Sequence, residues 1–381
     1  MNRRNFLRTA AITAAAAAVS PLGFSAFGSS TKQTLPSGKM NLIFEPYELK
    51  LRHAFNLAKN QRTTTPGVQV RIVYDGITGY GEASMPPYLG ESVQSVCDFL
   101  SKVDLSQFSP FDMEEIHAYL DSIADGNRAA KASVDIALHD LTGKIMGQPW
   151  YRIWGLNPEK TPNTSITISY QSDPEEMRRE IEETAGFKVV KVKMGVGHDK
   201  EIVEELRKVS DVPICVDANQ GWSDKQHALD MCNWLADRNC LFVEQPMPKE
   251  QHADTAWVRE RSPLPLIADE SLQRIGDVKR MSEAFDGINI KLMKSTGLHE
   301  AYKMAVLARA LGMKVMLGCM TETSCAVTAA AQLAPLVDYA DLDGNLLIAN
   351  DIFDGIKIID GKVTIPKDRP GIGVVPVDDL A

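Results

Sequence analysis

From Thr164 onward, short apolar runs alternate with amphipathic helical stretches. The runs fall at 165–170, 189–194, 212–216, 241–243, 264–268, 287–292, 314–317 and 337–342. Helix starts are marked between them, as at Asp173-Pro174-Glu175-Glu176, where an N-cap aspartate precedes proline at the first helical position. Eight runs at this spacing predict an α/β fold, a modified (β/α)8-type (TIM-like) barrel. An open doubly wound sheet is the alternative, but the chain has no G-x-G-x-x-G fingerprint to support it.

Upstream the period changes. Residues 41–53 and 68–84 read as three antiparallel strands, turning at Asp75-Gly76 and near Gly79 and Gly81, with a polar stretch at 56–66 between the first two. Helical patterns follow at 90–103, 112–123 and 127–146. The expected organisation is an α+β unit at 40–160, the barrel at 161–350 and a segment at 351–381 that runs back over the first unit.

Residues 1–28 differ from all of this. Arg3, Arg4 and Arg8 precede an apolar run at 10–19 and then small residues ending Ala26-Phe27-Gly28, the pattern of an export signal with a twin-arginine-like start. The run is too short to span a bilayer as a permanent helix. The expectation is therefore an exported, periplasmic protein with no membrane anchor once the leader is removed. Without the leader, 38 basic residues face 50 acidic ones, a net charge of −12 that argues against nucleic acid as a partner. Six cysteines without a C-x-x-C pair read mostly as small core residues.

Barrels of this kind carry chemistry at the C-terminal ends of their strands. The second run, within Phe187-Lys188-Val189-Val190-Lys191-Val192-Lys193-Met194-Gly195, brings Lys191 and Lys193 out on one face. Each disfavours the charge of the other, so at least one is expected to have a lowered pKa; the alternative is an edge strand with both lysines in water. The next runs end in Asp217, Glu244 and Asp269, and the sixth carries Lys291, at intervals of 22 to 27 residues. Carboxylates at strand ends often cap the following helix. Three in succession, converging at one barrel mouth, also make a hard oxygen site suited to Mg²⁺.

Taken together, Lys191-x-Lys193, Asp217-x-Asn219, Glu244-Gln245-Pro246, Asp269-Glu270-Ser271 and Asn289-Ile290-Lys291 resemble the signature of the enolase superfamily, in its muconate-lactonizing-enzyme-like subgroup. Gly81-Glu82-Ala83 and the stretch at 132–140 match its first domain, which caps the barrel. The resemblance implies that Asp217, Glu244 and Asp269 ligate one Mg²⁺ per subunit. It further implies that Lys193 and Lys291 are the acid/base pair and that Lys191 tunes Lys193 or meets the substrate carboxylate. The implied reaction is a two-lysine 1,1-proton transfer through an enediolate, as in superfamily members generally.

Asp341 and Asp343, two apart in the eighth run, resemble the D-x-D pair with which dipeptide epimerases hold a substrate α-ammonium group. Thr167, Cys319 and Glu322 sit in segments similar to substrate-contacting segments of L-Ala-D/L-Glu epimerases. Arg62 is the candidate for the substrate's side-chain carboxylate, with Arg52 as second choice. The implied function is epimerisation of the C-terminal residue of a dipeptide, L-Ala-D/L-Glu from cell-wall peptides, by a small-molecule isomerase for which homo-oligomerisation stays open. N-acylamino-acid racemase, o-succinylbenzoate synthase and cycloisomerase are alternatives within the superfamily, and a non-catalytic binding protein is the distant one.

Overall fold

The computed structural model describes residues 38–57, 60–86 and 89–380; the side chains of 53–62 fall outside that description, as does the export signal expected at 1–28. An antiparallel sheet comes first: β1 (Asn41–Leu57), β2 (Asn60–Tyr74) and β3 (Ile77–Ser84), in that order. The pairing runs through the polar stretch expected to separate the first two strands, with Leu57 opposite Asn60 and Arg62 opposite Phe55. Backbone pairing tolerates polar side chains on a two-stranded arm, so the apolar pattern understates the strand length.

Helices α1 (Val93–Leu100), α2 (Met113–Ile123), α3 (Arg128–Met146) and the short α4 (Trp150–Ile153) follow. α3 is buried over most of its length and packs on β3. Gly81 makes that approach possible, because a Cβ there would lie 2.0 Å from the Ser133 carbonyl oxygen. Two buried aspartates on α3 tie it to the rest of the molecule. Asp140 accepts from the Tyr80 and Ile372 amides at 2.9 and 3.1 Å, joining the C-terminal segment to this sheet. Asp135 accepts from His117 Nε2 at 2.7 Å and from the Leu298 amide on the barrel side.

The barrel strands are β4 (Ile166–Ile168), β5 (Val190–Lys193), β6 (Ile214–Asp217), β7 (Cys240–Glu244), β8 (Leu266–Ala268), β9 (Gly287–Lys291), β10 (Lys314–Gly318) and β11 (Tyr339–Asp341). They form one parallel sheet in sequential order, and each falls on or overlaps its expected run. Between them lie α5 (Pro174–Glu183), α6 (Asp199–Arg207), α7 (Lys225–Ala236), α8 (His252–Arg259), α9 (Val278–Ala284), α10 (Leu298–Ala310) and α11 (Ser324–Ala331). Asp173 caps α5 through the Glu175 amide, as its sequence predicts.

The sheet closes at the seam between β4 and β11 with little ladder. One bridge pairs Thr164 with Ala340, Thr164 Oγ1 accepts from the Leu342 amide at 2.7 Å, and Asp343 Oδ2 accepts from the Thr167 amide at 2.8 Å. Cys215, Phe242, Ile267 and Met316 form the buried plug of the barrel. Three of them stand two residues before Asp217, Glu244 and Asp269, so the carboxylates are the next layer up. Among the described residues no helix is long and apolar enough to cross a membrane.

Candidate active site and metal centre

Asp217, Glu244 and Asp269 are fully buried, and one carboxylate oxygen from each lies within 4.8 Å of the others. Parallel pairing sets this, since Asp217 on β6 is in register with Glu244 on β7 and with Lys193 on β5. Asn219 donates its amide to Asp217 Oδ1 at 3.0 Å, and Asn289 Nδ2 donates to Glu244 Oε1 at 2.7 Å. Gln245 Oε1 accepts from the Asp269 and Ser271 amides at 3.0 and 3.1 Å, which fixes the end of β8. Glu244 Oε2 is buried without a well-directed hydrogen bond, although Lys191 Nζ is 2.8 Å away. A buried all-oxygen triad with such an atom fits a hard divalent cation.

The lysines surround this triad. Lys191 Nζ lies 2.7 Å from Asp341 Oδ2, 2.8 Å from Glu244 Oε2 and 3.2 Å from Asp217 Oδ2. Lys193 Nζ is 2.7 Å from Asp217 Oδ2, so both lysines leave β5 on one face and reach the same carboxylate. Lys291, four strands away, is 2.7 Å from Asp269 Oδ2. Gly318 beside it on β10 leaves room, since a Cβ there would sit 3.1 Å from Lys291 Cε.

A depressed pKa is not found at Lys191. Burial pushes its ammonium down, but Asp341, Glu244 and Asp217 together hold it well above the usual lysine value. The carboxylates divide. Burial would raise Asp217, yet Lys193 and Lys191 hold it at about 2, whereas Glu244 is pushed up to about 8 by burial and by Asp217.

At the seam, Asp341 accepts from Ser165 Oγ at 2.6 Å as well as from Lys191. Asp343 beside it is raised to about 6 by burial and by the Asp341 charge. Thr167 meets Asp343 through its amide. Cys319 Sγ donates to the Asp341 carbonyl at 3.2 Å and accepts from the Gly344 amide at 3.3 Å, so this thiol ties two barrel loops together. Glu322 is buried and raised to about 8 by its burial and by Glu82. Of the two arginine candidates, Arg52 donates Nε to the Ile348 carbonyl at 2.8 Å and lines, with Thr167, a cleft of about 730 Å³ at the seam. Arg62 lies on β2, and its side chain is outside the described residues.

Sequence reasoning passed over Lys294, Asn289 and Ser165 as site residues. Asn289 shares a face with Lys291 by the two-residue period and was within reach of that argument. Lys294 lies beyond the strand on a turn, where no period points inward.

A parallel barrel with opposed lysines and an acidic triad that could hold a metal ion at its mouth defines a class of enzyme. Its family follows from comparison. Residues 41–155 match the mandelate racemase/muconate lactonizing enzyme N-terminal domain, and residues 176–380 match the enolase C-terminal domain-like model. The chain belongs to the enolase superfamily.

An L-Ala-D/L-Glu epimerase of Bacteroides thetaiotaomicron is 56% identical over 99% of this chain and 100% of that one. The substrate-liganded L-Ala-D/L-Glu epimerase of Bacillus subtilis superposes with a TM-score of 0.83 at 31% identity, covering 89% of this chain and 99% of that one. A dipeptide epimerase of Cytophaga hutchinsonii, complexed with Mg and D-Ala-L-Val, gives 0.82 at 28% identity over 90% and 96%.

Proposed function

We propose that this chain is a Mg²⁺-dependent dipeptide epimerase that inverts the α-carbon of the C-terminal residue of L-Ala-D/L-Glu. The observation that carries the reading is the placement of Lys193 and Lys291 on opposite sides of the three buried carboxylates, each 2.7 Å from a different one. The relative at 56% identity, an L-Ala-D/L-Glu epimerase over its full length, supports the substrate.

A proton α to a carboxylate is too weakly acidic for an amine to take unaided; a divalent cation held by Asp217, Glu244 and Asp269 supplies stabilisation of the charge that develops. Lys193 takes the α-proton on one face and Lys291 delivers one from the other, which inverts the centre; for the opposite stereoisomer the roles exchange. Lys191 keeps its ammonium charge beside the substrate carboxylate. The Asp341–Asp343 pair has one cation among the described residues, Lys191 at 2.7 Å from Asp341, and a second positive charge would suit Asp343, which burial and the Asp341 charge raise to about 6. A dipeptide's α-ammonium group supplies that charge, and the acyl nitrogen of an N-acylamino acid does not. An exported enzyme working on cell-wall peptides in the periplasm completes the proposal.

The test is incubation of the purified protein with L-Ala-L-Glu and Mg²⁺ in ²H₂O. Mass spectrometry is expected to show one deuterium at the glutamate α-carbon, together with the D-Glu epimer. No exchange with any Xaa-Glu dipeptide would sink the reading.

A further inference from the structure

Lys294 is a buried lysine that the proposed chemistry does not use. It follows β9 on the turn into α10, and only 1% of it is exposed. Its ammonium donates to Asp269 Oδ1, to the Asp269 carbonyl at 2.7 Å and to the Asn289 carbonyl at 3.2 Å. Three donors thus meet three acceptors, so the group is fixed in orientation.

Burying an ammonium is costly even when it is paired, and an aliphatic side chain would fill the same space without that cost. The contacts show what the charge accomplishes. Lys294 holds Oδ1 of Asp269 while Lys291 meets Oδ2 at 2.7 Å, so the carboxylate is gripped through both oxygens and cannot turn about its axis without breaking one of these bonds. Through the Asn289 carbonyl it also steadies the residue whose Nδ2 holds Glu244 Oε1 at 2.7 Å.

We infer that Lys294 is a positioning residue. It fixes the orientation of Asp269 from the oxygen opposite the one that meets Lys291, and it braces Glu244 through Asn289. The inference rests on the metal-centre reading above.

The test is titration of the full-length protein with Mn²⁺, following the free ion by electron paramagnetic resonance, with thermal unfolding as the fold control. Loss of an outer-shell partner weakens metal affinity by about 10- to 100-fold, and that loss is expected for Lys294→Met. Lys294→Gln keeps N–H donors without the charge and should bind more tightly than the Met variant but less tightly than wild type. In the Co²⁺-loaded Met variant Asp269 would be held by Lys291 alone and free to reorient, so the visible absorption should shift from the wild-type spectrum.

If either variant binds Mn²⁺ as tightly as wild type, the positioning role is overturned. Tighter binding would mean that Lys294 acts only as an opposing charge, which overturns it as well. Wild type and Asp269→Asn separate the two readings: if wild type binds no Mn²⁺, the metal centre itself fails and the inference with it. If Asp269→Asn loses the ion while Lys294→Met keeps it, the positioning role alone fails.

Discussion

On one side of the barrel mouth Lys191 and Lys193 leave β5 two residues apart, and their ammonium groups converge on Asp217. On the other, Lys291 ends β9 and Lys294 follows on the turn, both reaching Asp269. Each side therefore has one lysine that is more exposed and a second, more buried one beside it. The buried members differ in their partners. Lys191 contacts three carboxylates, while Lys294 contacts one carboxylate and two backbone carbonyls. Lys191 thus gathers the charges of three strands, and Lys294 fixes the orientation of one. The carboxyls that meet these lysines behave alike: against burial, Asp217 is held at about 2 by Lys193 and Lys191, and Asp269 well below the usual range by Lys291 and Lys294, whereas Glu322 is pushed up to about 8 by its burial.

The largest expected effect tests whether the two outer lysines are equivalent. Lys193→Ala and Lys291→Ala should each lower epimerisation by about 10²- to 10⁴-fold, the usual worth of a positioned acid/base group. Each variant should still exchange the α-proton of one stereoisomer with ²H₂O, and the two should retain opposite ones. Proton NMR of L-Ala-L-Glu and L-Ala-D-Glu in ²H₂O reads this directly. If both variants retained exchange of the same isomer, the lysines would not face each other across the substrate.

A smaller effect tests the inner lysines. Lys191→Met leaves Asp217, Glu244 and Asp341 buried without their shared cation, and breaking buried pairs in this one-sided way costs about 3–5 kcal/mol. Thermal unfolding without divalent ions should show the loss, and added Mg²⁺ should recover part of it. Lys193→Met should cost less, because Lys193 contacts one carboxylate and is 14% exposed at its side chain. Equal melting temperatures for the two variants would erase the distinction between gathering and reacting lysines.

Much of this comparison was legible before the structure. The eight runs, their order and the charged residue closing each of five strands follow from a period of two and from parallel register, so Lys191, Lys193, Asp217, Glu244, Asp269 and Lys291 stand where the pattern puts them. Lys294 was not legible, because a turn after a strand has no period and its inward direction depends on the carbonyls of Asp269 and Asn289. The raised pKa of Lys191 was also out of reach: two adjacent lysines suggest mutual repulsion, and only the fold shows three carboxylates outweighing it. The seam hides its chemistry in another way. Asp343 and Thr164 complete the sheet through side chains, which no strand pattern encodes.

The smallest effect bears on Glu82 and Glu322, two carboxyls raised by burial, in contrast to Asp269, which Lys291 and Lys294 hold well below the usual carboxylate range against its burial. Glu82 reaches from β3 to the start of α11, accepting from the Thr323 amide at 2.9 Å and from the Ala326 amide at 3.3 Å. Burial, opposed by those bonds, raises it from 4.5 to about 7. A carboxyl that holds its proton more tightly when folded contributes stability that is full below about 4.5 and is lost as pH rises through about 7. Glu82→Gln keeps an acceptor for Thr323 but has no proton to lose. Between pH 4.5 and 7 its stability should therefore fall less steeply than wild type, by up to about 3 kcal/mol across that window. Glu322, itself raised by burial and in part by Glu82, should titrate lower in the variant, so the difference reports the two carboxyls together. Denaturant unfolding at the two pH values measures it. Parallel pH profiles would mean that Glu82 is already ionised in the folded protein.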